Sequence, residues 1–422
     1  MSDADRVCAA VDELRDDCIA FLVDLVRIPT VNPPGDRYED AARLIGDRLQ
    51  ALGYAVDYVR PREPRDGPPR VNVIGRFEGS VARPTLHFNG HFDVVPVGDP
   101  AAWTRQPFGA EIAGGRLWGR GTGDQKAGIA ASIYAIEAIR RAGLRLRGSV
   151  EQSATVDEES GGFAGMAELC EQGFISADRT DHVIITEPLD VDRVCIGHRG
   201  VYWFEVTARG VTAHGSMPEL GRNAADAMTR LINRIDRDLK PRLAARVTLM
   251  PVEPPAARHA SISLNALHAG QPVGEAQTPM VPDVAVAIFD RRFIAEERSG
   301  DVRREIEALV AAEGTADPDI RWTVRDLMLV EPTTTPADAP VARATRDAIK
   351  AVLGKDASII VSPGTYDQKH VVRRGGVTDC IAYGPGRLGT AHRPDEYVDL
   401  EDLANATKVM ALAALTLLGT AG

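Results

Sequence analysis

The chain has 422 residues, of which 44% are hydrophobic and 26% are charged, and its formal net charge is −11. A length of this order predicts two or three domains with a large buried core. The acidic balance argues against non-specific nucleic-acid binding, because such binding needs a basic face that displaces counterions from phosphates.

Helix and strand patterns alternate through the first half of the chain. Apolar residues at helical spacing predict helices at residues 11–26, 38–52 and 126–142. Short apolar and β-branched runs predict strands at residues 71–77, 85–88, 149–155, 182–186 and 193–196. Strands that alternate with helices in this way predict an α/β domain with a largely parallel sheet.

The pattern changes near residue 200, where a separate α+β insert is expected. Its predicted strands are 201–207, 260–267 and 284–291, and its predicted helices are 223–239 and 303–312. A helix at 341–353 and short strands up to the C-terminus would return to the first domain. The expected division is therefore a catalytic domain in two parts, 1–199 and 329–422, around an inserted domain, 200–328.

The sequence shows no sign of a targeting or membrane segment. Residues 1–17 are polar and acidic, unlike a secretion signal, and the apolar run 409–418 is too short to span a bilayer. The five cysteines are scattered and include no Cys-x-x-Cys pair. This usage indicates reduced cysteines, so a cytoplasmic protein with no membrane partner is expected.

Four segments place acidic or imidazole side chains after predicted strands, where ligands bind in open α/β sheets. They contain His91, Asp124, the acidic run 157–159 and Glu187, and a glycine-rich loop further along carries His392. Each has an ordinary explanation on its own, such as a helix cap for Asp124. Together they supply two histidines, three carboxylates and one further glutamate, a set suited to two divalent ions that share a carboxylate.

The order of these motifs resembles the metallo-aminoacylase family, which includes acetylornithine deacetylase, succinyl-diaminopimelate desuccinylase, aminoacylases and bacterial glutamate carboxypeptidases. The matching motifs are His-x-Asp at 91–93, Gly-Arg-Gly-x-x-Asp-x-Lys at 119–126, Asp-Glu-Glu-x-Gly-Gly at 157–162, Glu-Pro at 187–188, Ala-His-Gly-Ser-x-Pro at 213–218, Gly-x-Asn-Ala at 221–224 and Ala-His at 391–392. The resemblance covers nearly the whole chain. It implies a metal-dependent exopeptidase-like α/β/α catalytic domain with an inserted α+β lid and dimerisation domain.

The resemblance also implies a ligand set for two metal ions. His91 and Glu187 would bind one ion, and Glu159 and His392 would bind the other. Asp124 would bridge the two ions. These histidine and carboxylate donors suit Zn, Mn and Co alike.

Further roles follow from the same resemblance. Asp93 would orient the histidine two residues before it, and Glu158 would be the general base. In the insert, His214 would reach the active site of a partner subunit and stabilise an oxyanion, so a homodimer is expected. Arg292 and Asn223 would contact a small anionic substrate.

Two positions depart from the family pattern, and both fall on the substrate side of the site. Pro279 stands where relatives commonly have an asparagine, and it offers neither a side-chain amide nor a backbone N–H. Lys369 stands where relatives often have an arginine, so a contact from it to substrate would be a single point charge.

The sequence therefore predicts a two-metal hydrolase that cleaves a C–N bond of a small carboxylate-bearing substrate, first of all an N-acyl amino acid. One alternative is hydrolytic deamination of an activated aromatic amine carboxylate of the nitroanthranilate type, because the two departures alter the pocket. An alternative of another class is a catalytically inactive metal-binding scaffold.

Overall fold

A computed structural model of the protein describes residues 2–63, 67–272, 274–275 and 279–421. The chain divides into two compact units. The first contains Met1–Gly197, Thr334–Ile360 and Tyr366–Gly422, and the second contains His198–Thr333 and Val361–Thr365.

Helices and strands alternate along most of the described residues. The helices are α1 (Asp3–Glu13), α2 (Arg15–Val26), α3 (Tyr38–Ala51), α4 (Ala127–Arg141), α5 (Met166–Glu171), α6 (Ala224–Arg234), α7 (Lys240–Ala244), α8 (Ser299–Ala316), α9 (Pro340–Leu353), α10 (Gln368–Arg373) and α11 (Leu400–Leu418). The strands are β1 (Ala55–Val59), β2 (Asn72–Phe77), β3 (Thr85–His91), β4 (Glu111–Ala113), β5 (Arg116–Trp118), β6 (Ser149–Thr155), β7 (His182–Ile185), β8 (Arg193–His198), β9 (Gly200–Arg209), β10 (Ser261–Ala269), β11 (Val284–Phe293), β12 (Arg321–Val330), β13 (Thr333–Thr334), β14 (Ser358–Ser362), β15 (Cys380–Ala382) and β16 (Tyr397–Asp399).

The main sheet has nine strands among the described residues, in the order β1-β2-β6-β3-β7-β15-β8-β13, with β14 paired to β8. Its centre is parallel: β3 pairs with β6 on one side and with β7 on the other, and β15 runs parallel to β7. A three-stranded sheet, β16-β5-β4, lies apart from it. The predicted α/β class with a large sheet is confirmed.

Both faces of the main sheet are covered. Val183 and Ile185 of β7 pack in one cluster with Leu169 of α5 and Val371 of α10. Ile184 between them points to the opposite face and is also fully buried. Strands that are buried on both faces become nearly continuous apolar runs, which explains the sequence of β7.

The second unit contains an antiparallel sheet in the order β10-β11-β9-β12. Its core joins Phe204 of β9 and Phe289 of β11, whose rings stack, to Met228 and Leu231 of α6. This packing uses the apolar face that the sequence predicts for the helix near residue 230. β10 forms one edge of the sheet, and all its residues except Ile262 are exposed.

Two sequence-based expectations are wrong. The helix predicted at 11–26 is two helices, because the backbone of Leu14 (φ −89°, ψ 2°) leaves the helical conformation and separates α1 from α2. The short strands expected after residue 353 are present as β14, β15 and β16, but the segment then ends in the 19-residue helix α11, which was not expected. Its alanine-rich sequence lets α11 pack closely against α4 and α9. No helix in the described ranges is long and apolar enough to cross a membrane.

Candidate active site

Three parallel strands of the first unit end at the same edge of the main sheet. β3 ends at His91, which pairs with Thr155, the last residue of β6. The chain then passes from β6 into residues 157–160, and from β7 into Glu187. Because the carboxyl ends of parallel strands meet at one edge, the strand register brings together side chains that are far apart in sequence.

Asp124 lies between two histidines at this edge. Its Oδ1 is 3.1 Å from Nε2 of His91, and its Oδ2 is 3.3 Å from Nε2 of His392. The same Nε2 of His392 is 3.0 Å from Oε1 of Glu159. The two oxygens of one carboxylate therefore face two different imidazoles. His91, Asp124 and Glu159 each offer a ligand atom, and these atoms lie within 4.8 Å of one another.

The electrostatics of this cluster reflect close packing of titratable groups. Burial opposes ionisation of Asp124, yet hydrogen bonds with His392 and His91 hold its pKa well below its usual range. Hydrogen bonds with Asp124 and then Glu159 raise the pKa of His392 to about 10. Burial, opposed by His392, raises the pKa of Glu159 to about 7. The charges of these acids and bases are offset by protons on the histidines and on Glu159. A bound cation could take the place of those protons, so the cluster suits a metal ion.

Glu187 is held by a side chain that the sequence analysis did not assign. Nε2 of Gln125 donates a hydrogen bond to Oε1 of Glu187 at 2.6 Å, and Oε1 of Gln125 accepts one from the Thr186 hydroxyl at 2.8 Å. Burial, reinforced by the negative charge of Asp124, raises the pKa of Glu187 well above its ordinary value. Gln125 is itself completely buried, so the orientation of the Glu187 carboxylate is fixed from one side.

Asp93 lies beside His91 and also binds the backbone of the loop that carries Glu158 and Glu159. Nδ1 of His91 is 3.0 Å from the backbone carbonyl of Asp93 and 3.5 Å from its carboxylate. The Asp93 carboxylate accepts hydrogen bonds from Nδ2 of Asn32 at 2.8 Å and from the backbone N–H groups of Glu158 and Glu159 at 3.1 and 3.2 Å. Asp93 therefore fixes the loop that carries both glutamates.

Glu158 lies next to a buried cation. Nζ of Lys369 is 3.3 Å from Oε1 of Glu158, and the Lys369 side chain is only 2% exposed. Asp367 lies nearby and accepts a hydrogen bond from Nδ2 of Asn89 at 3.1 Å. Burial raises the pKa of Asp367 to about 7, against the opposing charge of Lys369. The lysine that the sequence assigns to substrate thus contacts the predicted general base.

Two loops of the site have non-glycine residues in the left-handed region. Asp157 has φ 58° and His392 has φ 63°. Such conformations persist only where the surroundings hold them, at a cost of about 1–3 kcal/mol each. The hydroxyl of Tyr38 and Nε of Arg70 donate to the Asp157 carboxylate at 2.9 and 3.2 Å, which holds the start of the acidic loop.

His214 lies in the second unit and is exposed. The backbone N–H of Ser216 donates to its Nδ1 at 3.2 Å, so in the neutral imidazole the proton is on Nε2. The backbone carbonyl of Pro279 accepts from the N–H of Gly215, and His214 forms a β-bridge with Met280. Pro279 thus supports the His214 loop through its carbonyl, which a proline retains. Gln277 and Thr278, which precede it, lie outside the described residues.

The two predicted substrate contacts of the insert are both engaged within the second unit. Oδ1 of Asn223 accepts hydrogen bonds from the N–H groups of Ala225 and Asp226 at 2.9 and 3.2 Å, so Asn223 is the N-cap of α6. Nε and Nη2 of Arg292 bind the Asp290 carboxylate at 2.7 and 2.9 Å. A substrate carboxylate would have to share or replace this ion pair, and Asn223 could offer only its Nδ2.

The donor set of the first unit fits a pair of divalent ions. Asp124 faces two imidazoles, Glu159 lies 3.0 Å from His392, and Glu187 is buried within range of the charge of Asp124. Divalent cations could balance these carboxylates in place of the protons that otherwise do so. Sequence reasoning proposed these residues as ligands because each follows a strand or a glycine-rich turn. It missed Asn32, Gln125 and Glu396, whose partners lie far along the chain.

Comparison with known proteins identifies the family. The model for peptidase family M20/M25/M40 matches residues 87–416. Succinyl-diaminopimelate desuccinylase of Methylorubrum extorquens (strain PA1) is 30% identical over 409 residues, which cover 93% of this chain and 96% of that protein. The desuccinylase of Cereibacter sphaeroides (strain KD131) is 30% identical over 390 residues, covering 91% and 94% of the two chains.

Solved structures show the same fold at low sequence identity. Human carnosine dipeptidase 1 superposes with a TM-score of 0.81 at 18% identity, over 99% of both chains. A dinuclear metal-binding peptidase of family M20 from Bacillus subtilis gives 0.66 at 16% identity, over 97% of this chain and all 100% of the other. The chain therefore belongs to peptidase family M20/M25/M40 and is a metal-dependent hydrolase that acts on carbon–nitrogen bonds.

Proposed function

We propose that the protein hydrolyses the amide bond of a small N-acyl amino acid that carries a carboxylate. Removal of a succinyl group, the reaction named for the similar desuccinylases, is an example. The observation that carries this proposal is the placement of Glu158 beside a cluster in which Asp124 faces both His91 and His392. The identity to desuccinylases over more than nine-tenths of the chain supports the substrate class.

The metal ligands that we propose are those implied by the family resemblance, and the contacts of Asp124 with both histidines support them. His91 and Glu187 would hold one divalent ion, His392 and Glu159 would hold the other, and Asp124 would be shared. Zn, Mn or Co suits these donors. Bound ions would supply Lewis acidity to a substrate carbonyl and lower the pKa of water towards neutrality.

Glu158 is the proposed general base. It follows the ligand-bearing strand end, it is partly buried, and its backbone N–H is tied to Asp93 at 3.1 Å. Its carboxylate would take a proton from the attacking water and deliver it to the departing nitrogen. Lys369, 3.3 Å from Oε1, would restrict the rotation of this carboxylate, and it could contact a substrate anion only as a point charge.

The second unit would complete the site across a homodimer. The Nε2–H of His214 is the kind of donor that stabilises an oxyanion, and its exposure leaves it accessible to a partner subunit. Arg292 would anchor the substrate carboxylate bidentately in exchange for part of its contact with Asp290. Asn223 would add its Nδ2.

The cellular location that we propose is the cytoplasm, because the five cysteines form no disulfide. The desuccinylase and peptidase names of the relatives support amide hydrolysis. They give no support to deamination of an aromatic amine or to an inactive scaffold.

The test of the function is Glu158→Gln, which keeps the size of the side chain and removes its basicity. We expect the variant to retain both metal ions and its fold while kcat for an N-succinyl amino acid falls about a hundred- to ten-thousandfold. Metal content and kcat are measured on the same preparation. A metal-loaded variant with near-normal kcat would refute the assignment of Glu158.

A further inference from the structure

Glu396 is a buried carboxylate that joins two ligand-bearing loops. It lies four residues after His392 and is 1% exposed. Its Oε1 accepts hydrogen bonds from the backbone N–H groups of Gly121, Gly123 and Asp124 at 3.0, 3.0 and 3.1 Å. Its Oε2 accepts one from Nη1 of Arg120 at 2.6 Å. All these donors belong to the loop that presents Asp124.

Backbone contacts strengthen the same connection. The N–H of Gly119 donates to the carbonyl of Glu396 at 2.8 Å, and Nη1 of Arg120 donates to the carbonyl of Arg393 at 3.3 Å. The glycines make this convergence possible: Gly121 has φ 83°, and a Cβ there would lie 2.5 Å from Cγ1 of Val94. The glycine-rich loop therefore wraps around the carboxylate of Glu396.

These hydrogen bonds leave Glu396 unsuited to bind a metal ion and make it a support for the Asp124 loop. Both oxygens are already committed to N–H donors, and a buried carboxylate that lost them would bear a large desolvation cost. Asp124 needs a fixed backbone to direct its two oxygens at His91 and His392, which are 3.1 and 3.3 Å away. Glu396 binds that backbone and is itself carried on the loop of His392.

We propose that Glu396 is a positioning residue that fixes the Asp124 loop relative to the His392 loop. Through this contact it would set the affinity of the site for the more weakly bound of two metal ions. The proposal rests on the proposed metal-binding roles of Asp124 and His392. It makes Glu396, together with Arg120, a support of the proposed metal ligands and not a ligand itself.

The test uses the metal-free full-length protein and Zn²⁺ as the probe. Zn²⁺ affinity and stoichiometry are measured by titration calorimetry against a competing chelator, and the unfolding temperature is measured with and without Zn²⁺. In Glu396→Gln we expect the weaker of the two Zn²⁺ sites to lose affinity about 10- to 100-fold, the usual effect of removing a group that orients a ligand. The rise in unfolding temperature on adding Zn²⁺ should shrink accordingly.

The matched control is Glu151→Gln. Glu151 is another fully buried carboxylate of the first unit, bound to Arg76 and Arg179, and it lies towards the opposite end of β6 from the cluster. This control should lower the unfolding temperature without altering Zn²⁺ affinity. If Glu396→Gln is too unstable, the double variant Glu396→Gln/Arg120→Met removes the unpaired buried cation and is measured instead.

Unchanged affinity for both Zn²⁺ ions in a folded Glu396 variant overturns the proposal, whatever its unfolding temperature. The metal site itself is checked separately with Asp124→Asn and His392→Ala. If those two variants also bind Zn²⁺ like the wild type, the proposed metal ligands are wrong. If they lose Zn²⁺ and the Glu396 variant does not, only the positioning role of Glu396 is wrong.

Discussion

From the hydrogen bond between Gln125 and Glu187 we predict how much metal affinity depends on Gln125. Replacing Gln125 with leucine keeps most of the side-chain volume and removes the only amide donor to Glu187 found among the described residues, at 2.6 Å from Oε1. A hydrogen bond to a charged group contributes about 1.5–3 kcal/mol, and the bond is lost from the ionised carboxylate that a metal ion requires. Because about 1.4 kcal/mol is a factor of ten in affinity, the metal ion that Glu187 is proposed to bind should bind about ten- to a hundredfold more weakly.

The rest of this hydrogen-bond network tolerates the change. The hydroxyl of Thr186 donates to Gln125 at 2.8 Å, but it also lies 3.1 Å from the carbonyl of Asn89 and can donate there. No buried hydroxyl is therefore left without an acceptor, and the cost should fall mainly on metal binding. The assay is Zn²⁺ titration of the metal-free protein against a chelator, with the unfolding temperature as a second measurement.

Gln152→Leu is the matched control, because Gln152 is a buried amide of the same unit whose Nε2 donates to the carbonyl of Ser132 at 2.9 Å. That variant should lose stability and keep its Zn²⁺ affinity. If Gln125→Leu behaves like Gln152→Leu, the orienting role of Gln125 is refuted, and its hydrogen bond to Glu187 has only a structural effect.

Three further predictions concern stability, the oligomer and the substrate. Burial opposes ionisation of Glu151, yet its His and Arg partners lower its pKa to about 2. The stabilisation from this carboxylate is therefore complete above its unfolded pKa, about 4.3, and is lost as the pH falls towards 2. Urea unfolding of Glu151→Gln should depend less on pH in this range, and an unchanged acid dependence would contradict this. Mixing His214→Ala with Glu158→Gln subunits should restore part of the activity in exchanged dimers, and confirmed heterodimers that stay inactive would exclude action across the dimer. Arg292→Ala should reduce the preference in kcat/KM for a carboxylate-bearing substrate over its neutral analogue by a few kcal/mol, about the scale of charged hydrogen bonds; an equal preference in both proteins would exclude the anchoring role.

The sequence predicted the parallel core well because local patterns determine it. Strand β6 coincides with the run 149–155, and β3 begins at residue 85 as expected but continues to His91. Candidate ligands that directly follow strands, such as Glu187, can be placed from the sequence since the strand ends must meet at one edge. The motif order then assigns each residue a role, although those roles remain predictions.

The supporting contacts could not be predicted from the sequence in the same way. Asn32 and Asp93 are 61 positions apart, and Glu396 is 272 positions from Asp124. Their pairing depends on how loops fold over the sheet edge, which no local periodicity encodes. The C-terminal helix α11 was missed for a related reason: an apolar, alanine-rich run is compatible with a strand or a helix until its packing partners are known.

The exposed strand β10 has a consequence for how activity should depend on protein concentration. On the side away from β11, within the described residues, its backbone N–H and C=O groups have no pairing strand, and its outward surface includes Leu264 and Leu267. An edge of this kind is a template for strand pairing with another chain. If two copies join there, the assembly obeys mass action, and dilution below its dissociation constant would lower the specific activity of an otherwise intact enzyme.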